Sequence, residues 1–236
     1  PNPEGRTPTP QGIFADNSLL GFVAELGNAP AGRLHRGTFQ YYRYSLEGAY
    51  LATLVSRPGL EVYFTITEPA GLVIVLPWGR RGTHAVFGNR WYYGSADKWE
   101  IEVYSADGVL THLFRRDEPN RPFGNDDREW ASGYRVIRAA DALFADTPMP
   151  ETFPAYRFLL ASDDGSLWVE NYPSRPTRPN GEQPSWAVFR EDGRFLGDVE
   201  TPIGAQVTHI GDDFVLVIWQ DDLEVQQVQM HELIKP

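Results

Sequence analysis

The chain of 236 residues contains no cysteine, which excludes structural disulfides, thiolate metal sites and cysteine nucleophiles. It also lacks any apolar run that approaches the roughly 18 residues of a transmembrane helix. Basic residues are scarce: 21 Lys and Arg stand against 32 Asp and Glu, and the formal net charge is −11. That charge repels a phosphate backbone, and no basic stripe offsets it, so we predict no nucleic-acid partner.

Aromatic residues make up 13% of the chain and hydrophobic residues 42%, which predicts a packed core rather than global disorder. Residues 156–199 are organised as one four-stranded unit. Its strands are predicted at residues 156–161, 166–170, 186–189 and 195–199. Tight turns at Asp164-Gly165 and Asp192-Gly193 join two of the strand pairs, because Asp-Gly between apolar runs is a strong hairpin signal.

This unit recurs along the chain. Further copies are predicted at residues 12–55, 84–114 and 206–234, with an extra hairpin at 60–77 after the first copy. The predicted third strands end on an aromatic residue that is followed by two residues, an acidic residue and a glycine: Tyr44 with Gly48, Tyr104 with Gly108, and Phe189 with Gly193. We therefore expect equivalent turns in which each glycine has a positive φ angle.

A lone four-stranded sheet cannot bury both of its faces, so repeated sheets predict a radial array. The expected fold is all-β: a β-propeller of four-stranded antiparallel blades, about four of which are visible in this chain. Because the copies are irregularly spaced, a β-sandwich with accidental similarity between its hairpins is the alternative.

Two segments fall outside the repeat. Residues 1–11 contain four prolines and are predicted to form an extended leader, which makes residues 12–236 the propeller domain. Residues 121–150 are predicted to be a helical insertion, with Asn125 or Asp126 as the cap of a helix that reaches residue 146. The apolar face of this helix is expected to pack on the propeller through Trp130, Tyr134, Ile137 and Phe144.

The third copy also resembles a known family. Its segments Asp-Asp-Gly-Ser-Leu-Trp-Val (163–169) and Val-Phe-Arg-Glu-Asp-Gly (188–193) resemble blade motifs of six-bladed β-propellers of the NHL and TolB-like kind. They are most similar to a bacterial secreted or lipoprotein family of unknown function. The resemblance covers about residues 12–234 and implies a periplasmic or extracellular location. It also implies six blades, so N-terminal blades are expected to be missing, and a start at Pro1 rather than Met agrees with that.

The aromatic residues near the second copy are candidates for ligand binding. Trp78 stands beside a proline at a hairpin end, and we expect it to be an exposed anchor, since aromatic residues dominate binding hot spots. Trp91 and Tyr93 are further candidates. Most aromatic side chains of this region are nevertheless expected to form the core between blades.

Histidines and carboxylates give weaker signals. His84 and His209 occupy comparable places on the first strands of their copies, and a position near the axis would make them binding candidates. The alternative, which is favoured, is that each is a hydrogen-bonded histidine of its strand. The five histidines show no pair at metal-ligand spacing. An axial calcium site would need carboxylates, and the acidic candidates are Asp16, Asp97, Asp164, Asp212, Asp213, Asp221 and Asp222. Nearly all of them lie in predicted turns, where Asp is favoured for local hydrogen bonds. We therefore predict no catalytic residue, metal or cofactor.

These features predict a non-enzymatic β-propeller that acts as a binding or scaffold module with another protein as its partner. One form of this function is an accessory subunit of a larger extracytoplasmic or membrane-associated assembly. The alternative is a hydrolase or lactonase that acts on a small or sugar substrate at the axis. A glycosidase with paired carboxylates also stays open, because such pairs meet in space rather than in sequence.

The final predicted strand, residues 224–234, is only the third of its blade. Its outer edge would expose a row of free N–H and C=O groups, which is an aggregation hazard. We expect a pairing strand from the N-terminal part of the chain, from missing blades, or from a partner chain by strand addition.

Overall fold

The computed structural model describes residues 4–27, 30–67, 70–137, 147–173, 183–220 and 225–234, and their strands form four antiparallel sheets. The first sheet holds β1 (Thr9–Ile13), β2 (Ser18–Glu25), β3 (Arg33–Ser45), β4 (Tyr50–Thr67) and β5 (Ala70–Val75). The second holds β6 (Thr83–Phe87), β7 (Arg90–Gly94), β8 (Glu100–Ser105) and β9 (Leu110–Arg115). The third holds β10 (Tyr156–Ala161), β11 (Leu167–Asn171), β12 (Ser185–Phe189) and β13 (Phe195–Glu200). The fourth holds β14 (Ala205–Ile210), β15 (Phe214–Gln220) and β16 (Gln226–Glu232).

The third strands of the first three sheets end in the same turn. In each, the pairing register shifts just before the aromatic residue that the sequence singles out: Tyr44, Tyr104 and Phe189. The glycine of each turn donates its N–H to the carbonyl three residues earlier, and its φ angle is positive: 84° at Gly48, 80° at Gly108 and 87° at Gly193. A Cβ atom is strained in this conformation. The predicted equivalence of the three segments is confirmed.

The sheets are arranged radially, with their first strands side by side. β1 packs beside β6, β6 beside β10, and β10 beside β14. A separate hydrophobic cluster fills each space between successive sheets, centred on Tyr41 and Trp91, then Tyr92 and Val169, then Trp168 and Val217. Successive blades of a propeller pack in this way, whereas a sandwich has one core between two sheets. The fold is therefore an all-β propeller arrangement, and the sandwich alternative is wrong.

The ring of first strands is open in the part of the chain that the structure describes. The packing runs from β1 to β14, but β14 does not pack beside β1 in the same way. β16 is the third strand of its sheet, as predicted, and it pairs with β15 alone. The N-terminal strand does not supply its missing neighbour, because β1 lies at the edge of the first sheet and pairs with β2 alone. The prediction that the N-terminal part of the chain pairs with the outer edge of the last strand is therefore wrong. Pairing of that edge with further blades or with a partner chain stays a prediction.

Two predicted boundaries change. β1 begins at Thr9, so the leader predicted for residues 1–11 is shorter, because Thr9 and Pro10 pair with β2. The extra hairpin predicted at 60–77 is not separate from the first copy, since β4 runs without interruption from Tyr50 to Thr67 and its second half pairs with β5. The predicted blade and hairpin therefore form one five-stranded sheet.

The helical insertion is confirmed over α1 (Asn125–Ile137). Gly124, rather than Asn125 or Asp126, is the N-cap residue, since its carbonyl accepts the N–H of Arg128. The carboxylate of Asp127 accepts the N–H of Gly124 at 2.9 Å, as the third helical residue does in a capping box. Trp130 packs against Trp78 with ring centroids 6.0 Å apart, within a cluster that includes Tyr63 and Phe153. The side chains of Tyr134 and Ile137, and the rest of the predicted helix to residue 146, lie outside the described parts. No helix among the described residues is long and apolar enough to cross a membrane.

Candidate functional site

A cavity of about 730 Å³ opens where the starts of the first strands converge. The strands β6, β10 and β14 contribute His84, Leu159 and Gln206 to its wall, and β1 contributes Gln11. Further residues come from the end of β11 and the start of β12, including Trp186. The converging ends of several blades therefore form one concave site, which is the usual form of a ligand pocket.

His84 lies in the wall of this cavity in one defined tautomer. Its Nε2 lies 2.5 Å from Oε1 of Gln11, which only accepts, so Nε2 carries the proton. Nδ1 then accepts the hydroxyl hydrogen of Tyr41 at 3.1 Å. Burial, and to a lesser extent the charge of Arg81, lowers the pKa of His84 to about 4. The imidazole is therefore neutral near pH 7 and ties the first sheet to the second.

Two arginines and one glutamate give the cavity its charge. Arg157 lies 3.4 Å from Oε1 of Glu170, whose pKa burial raises. The guanidinium carbons of Arg81 and Arg157 lie 5.5 Å and 4.9 Å from the ring centroid of Phe158. Cation–π attraction of this kind holds an arginine over a ring without neutralising it. Arg81 and Arg157 thus both contact the ring of Phe158 at the cavity wall.

The predicted aromatic binding residues are in the core. Trp78 is 1% exposed and contacts Phe123 and Trp130, so its prediction as an exposed anchor is wrong. Of the side chains in its cluster, Phe123 and Trp130 come from α1 and the segment before it, which the sequence does not place beside the hairpin. Trp91 and Tyr93 are 0% and 2% exposed and belong to the cluster between the first two sheets. Their rings are therefore not accessible to a ligand in this structure.

The two histidines are not in comparable places. His84 is the second residue of β6 and lines the cavity, whereas His209 is the fifth residue of β14 and does not. The first strands lie side by side, so residues near opposite ends of two strands are separated along the axis. Nε2 of His209 instead lies 3.1 Å from a carboxylate oxygen of Asp163, in the turn between β10 and β11.

The acidic candidates are dispersed. Asp16 and Asp97 form ion pairs with arginines, and Asp164 accepts hydrogen bonds from Ser162 and Ser166 within its own turn. Among the residues described, no group of three or more His, Asp or Glu side chains is arranged to hold a metal ion. Asp221 and Asp222 lie outside those residues.

Sequence reasoning missed the arginines of the cavity. Arg81 precedes β6 by two residues, and Arg157 is the second residue of β10. A basic residue at or just before the start of two first strands is a weak signal, because the chain contains 21 Lys and Arg residues. Only the radial packing brings these two positions together.

No protein-family model and no curated protein matches this chain in sequence. Among solved structures, it is similar to a DUF4221 family member from Bacteroides vulgatus, with 10% identity, 98% of this chain and 68% of that chain covered, and a TM-score of 0.49. It is also similar to Hsv2 from Kluyveromyces lactis, with 12% identity, 95% and 73% coverage, and a TM-score of 0.33. A third similar structure is the WD40 domain of SCAP from fission yeast, with 7% identity, 93% of this chain and 67% of that chain covered, and a TM-score of 0.29. The propeller assignment rests on the strand pairing and on the packing of the first strands.

Proposed function

We propose that this protein is a non-enzymatic binding module whose partner inserts a group into the axial cavity. The observation that supports this is the cavity itself, which is large enough for a drug-sized molecule and combines aromatic walls with a few fixed polar groups. His84 is hydrogen-bonded to Gln11 in the wall and to the buried hydroxyl of Tyr41 behind it, so this part of the wall is preorganised. Preorganised polar groups lower the entropic cost of binding.

The partner in this proposal is another protein, and the module is a subunit or scaffold of a larger assembly outside the cytoplasm. The resemblance to secreted and lipoprotein propellers supports the location. Cell fractionation tests it, because recovery of the native protein in the cytosolic fraction contradicts an extracytoplasmic role.

We also propose that further blades of the same propeller pack on the fourth sheet. Leu216 pairs with Met230, and Ile218 with Val228, on the face that turns away from the third sheet. Val228 and Met230 are 73% and 70% exposed. This apolar face resembles the faces that pack between the other sheets, and the likeness to six-bladed propellers supports the same interpretation. Mass spectrometry of the protein from its source tests it: a native chain no longer than this one contradicts it.

The binding function is tested by filling the cavity. Gln206→Trp places a large ring at an exposed position of the cavity wall, and Thr208→Trp is the matched control two residues further along β14, outside the wall. Wild type and Thr208→Trp are expected to retain the same partner in affinity capture from the source organism, whereas Gln206→Trp loses it. Retention by all three proteins contradicts the proposal. So does hydrolysis of lactone or ester substrates that Gln206→Trp abolishes, which is the behaviour of the enzyme alternative.

A further inference from the structure

We propose that the axial cavity binds an organic anion, in which one acidic group is joined to an apolar body, and that Arg81 binds the acidic group. This assignment rests on the proposed function, because it names the ligand class of the same cavity. It covers a free organic acid and an acidic side chain of a partner protein, which share the same chemistry.

The first support is the charge of the cavity wall. The charged residues among its described lining are Arg81, Arg157 and Glu170, and His84 is neutral near pH 7. The described lining therefore carries a formal charge of +1, in a chain whose net charge is −11. A positive pocket in an acidic protein attracts anions to one place and repels them elsewhere.

The second support is the environment of Arg81. Glu170 is paired with Arg157, and no carboxylate in the described part of the chain lies within ion-pairing distance of Arg81. The side chain of Arg81 is exposed to the cavity. Partial desolvation and the like charge of Arg157 lower its pKa, so its charged form carries an electrostatic cost. An anion beside the guanidinium would remove that cost and accept its hydrogen bonds.

The third support is the apolar surface beside the guanidinium. The Phe158 ring lies under Arg81, and Phe22 and Phe39 of the first sheet line the same cavity. Side-chain amides of Asn171 and Gln206 complete the wall. An inorganic anion would leave most of this surface uncovered, so the structure favours an anion that carries an apolar group.

Two fluorescent probes of matched shape test the assignment. 8-Anilinonaphthalene-1-sulfonate is an organic anion, and N-phenyl-1-naphthylamine is the same molecule without the sulfonate. We expect the wild-type protein to bind the anionic probe about tenfold more tightly, because a charge-assisted hydrogen bond is worth about that factor. Its affinity should fall with added salt, while that of the neutral probe should not.

The variants locate the effect. Arg81→Gln is expected to remove the preference for the anion and to leave binding of the neutral probe unchanged. Arg33→Gln, at an exposed position of β3 that is not part of the cavity wall, makes the same change in net charge and is expected to keep the preference. Thermal melts of both variants establish that they are folded. Phenylacetate is expected to displace the anionic probe, and inorganic phosphate at equal ionic strength is not.

The results separate the two proposals. If Gln206→Trp reduces binding of both probes but the wild-type protein shows no preference for the anion, the anion assignment is wrong and the cavity remains the site. The assignment is also overturned if Arg81→Gln and Arg33→Gln lose the preference for the anionic probe equally, or if phosphate displaces that probe and phenylacetate does not. If neither probe binds, or if Gln206→Trp does not reduce binding of either, the proposed function fails and the anion assignment fails with it.

Discussion

The phenol ring of Tyr156 packs on the backbone of Gly94, so closely that a methyl group at residue 94 would lie 2.7 Å from Cε2 of the ring. Gly94 ends β7 in the second sheet, and Tyr156 begins β10 in the third. The tyrosine hydroxyl donates to the carbonyl of Glu100 at 2.8 Å and accepts the N–H of Ala96 at 3.3 Å. One side chain therefore joins two blades through both packing and hydrogen bonds.

Gly94→Ala is expected to lower the free energy of unfolding by about 1–3 kcal/mol, because the added methyl group overpacks the contact with Tyr156. Urea denaturation measures the change. In a Tyr156→Leu background the ring is absent, so the same substitution should cost less, and a double-mutant cycle gives the coupling. If Gly94→Ala lowers the free energy of unfolding equally in the wild-type and Tyr156→Leu proteins, the contact is contradicted.

The neutral state of His84 predicts a dependence of stability on pH. Its pKa is about 4 in the folded protein and 6.5 in the unfolded chain, so between these values only the unfolded chain gains the proton. Stability is therefore complete above about pH 6.5 and falls as the pH drops towards 4, by up to about 3 kcal/mol. Glu170, whose pKa burial raises, acts in the opposite direction.

Comparison of wild type with His84→Gln isolates this contribution. Glutamine keeps a hydrogen-bonding amide but does not titrate, so the stability of the variant should change less between pH 6.5 and 4. Chemical denaturation at a series of pH values gives the two curves. Parallel curves across that window would show that His84 is not held neutral by the fold.

Trp130→Ala is expected to lower the free energy of unfolding by about 2 kcal/mol, since the indole is partly buried against Trp78 and loses that packing. Glu129→Ala is the control, because the neighbouring residue on α1 is exposed. Thermal and urea melts compare the two variants. A Trp130→Ala protein as stable as the control would remove the packing role of the insertion.

Among the described strands β16 is a free edge of the fourth sheet, which predicts self-association of this chain in isolation. β16 pairs with β15 from Gln226 to Glu232 without a register shift, and that strand contains neither proline nor lysine, the usual protections of an edge. Val228→Lys is expected to shift the protein towards monomer in sedimentation velocity experiments. Val109→Lys, at a position 61% exposed in a turn, should not do so. An equal effect of the two substitutions would show that net charge, rather than the strand edge, controls association.

Local features of this fold are predictable from the sequence. Tyr44, Tyr104 and Phe189 end equivalent strands because the residues that form each turn, including a glycine with positive φ, are neighbours in the chain. The start of α1 at Asn125 follows from similarly local signals. Turn chemistry and the alternation of apolar residues act over a few residues, so they determine the blades without knowledge of the remaining chain.

Contacts between blades are decided by the tertiary structure. Trp78 looks like an exposed hairpin end in the sequence, yet α1 and Phe123 bury it, because the insertion folds back onto the first sheet. Arg81 and Arg157 are far apart in the chain but share the ring of Phe158. Their meeting depends on how the blades pack side by side, and that packing depends on the shapes of whole sheets rather than on any local pattern. The sequence by itself therefore determined the repeating hairpins, and the radial packing of the blades decided where the charged cavity lies.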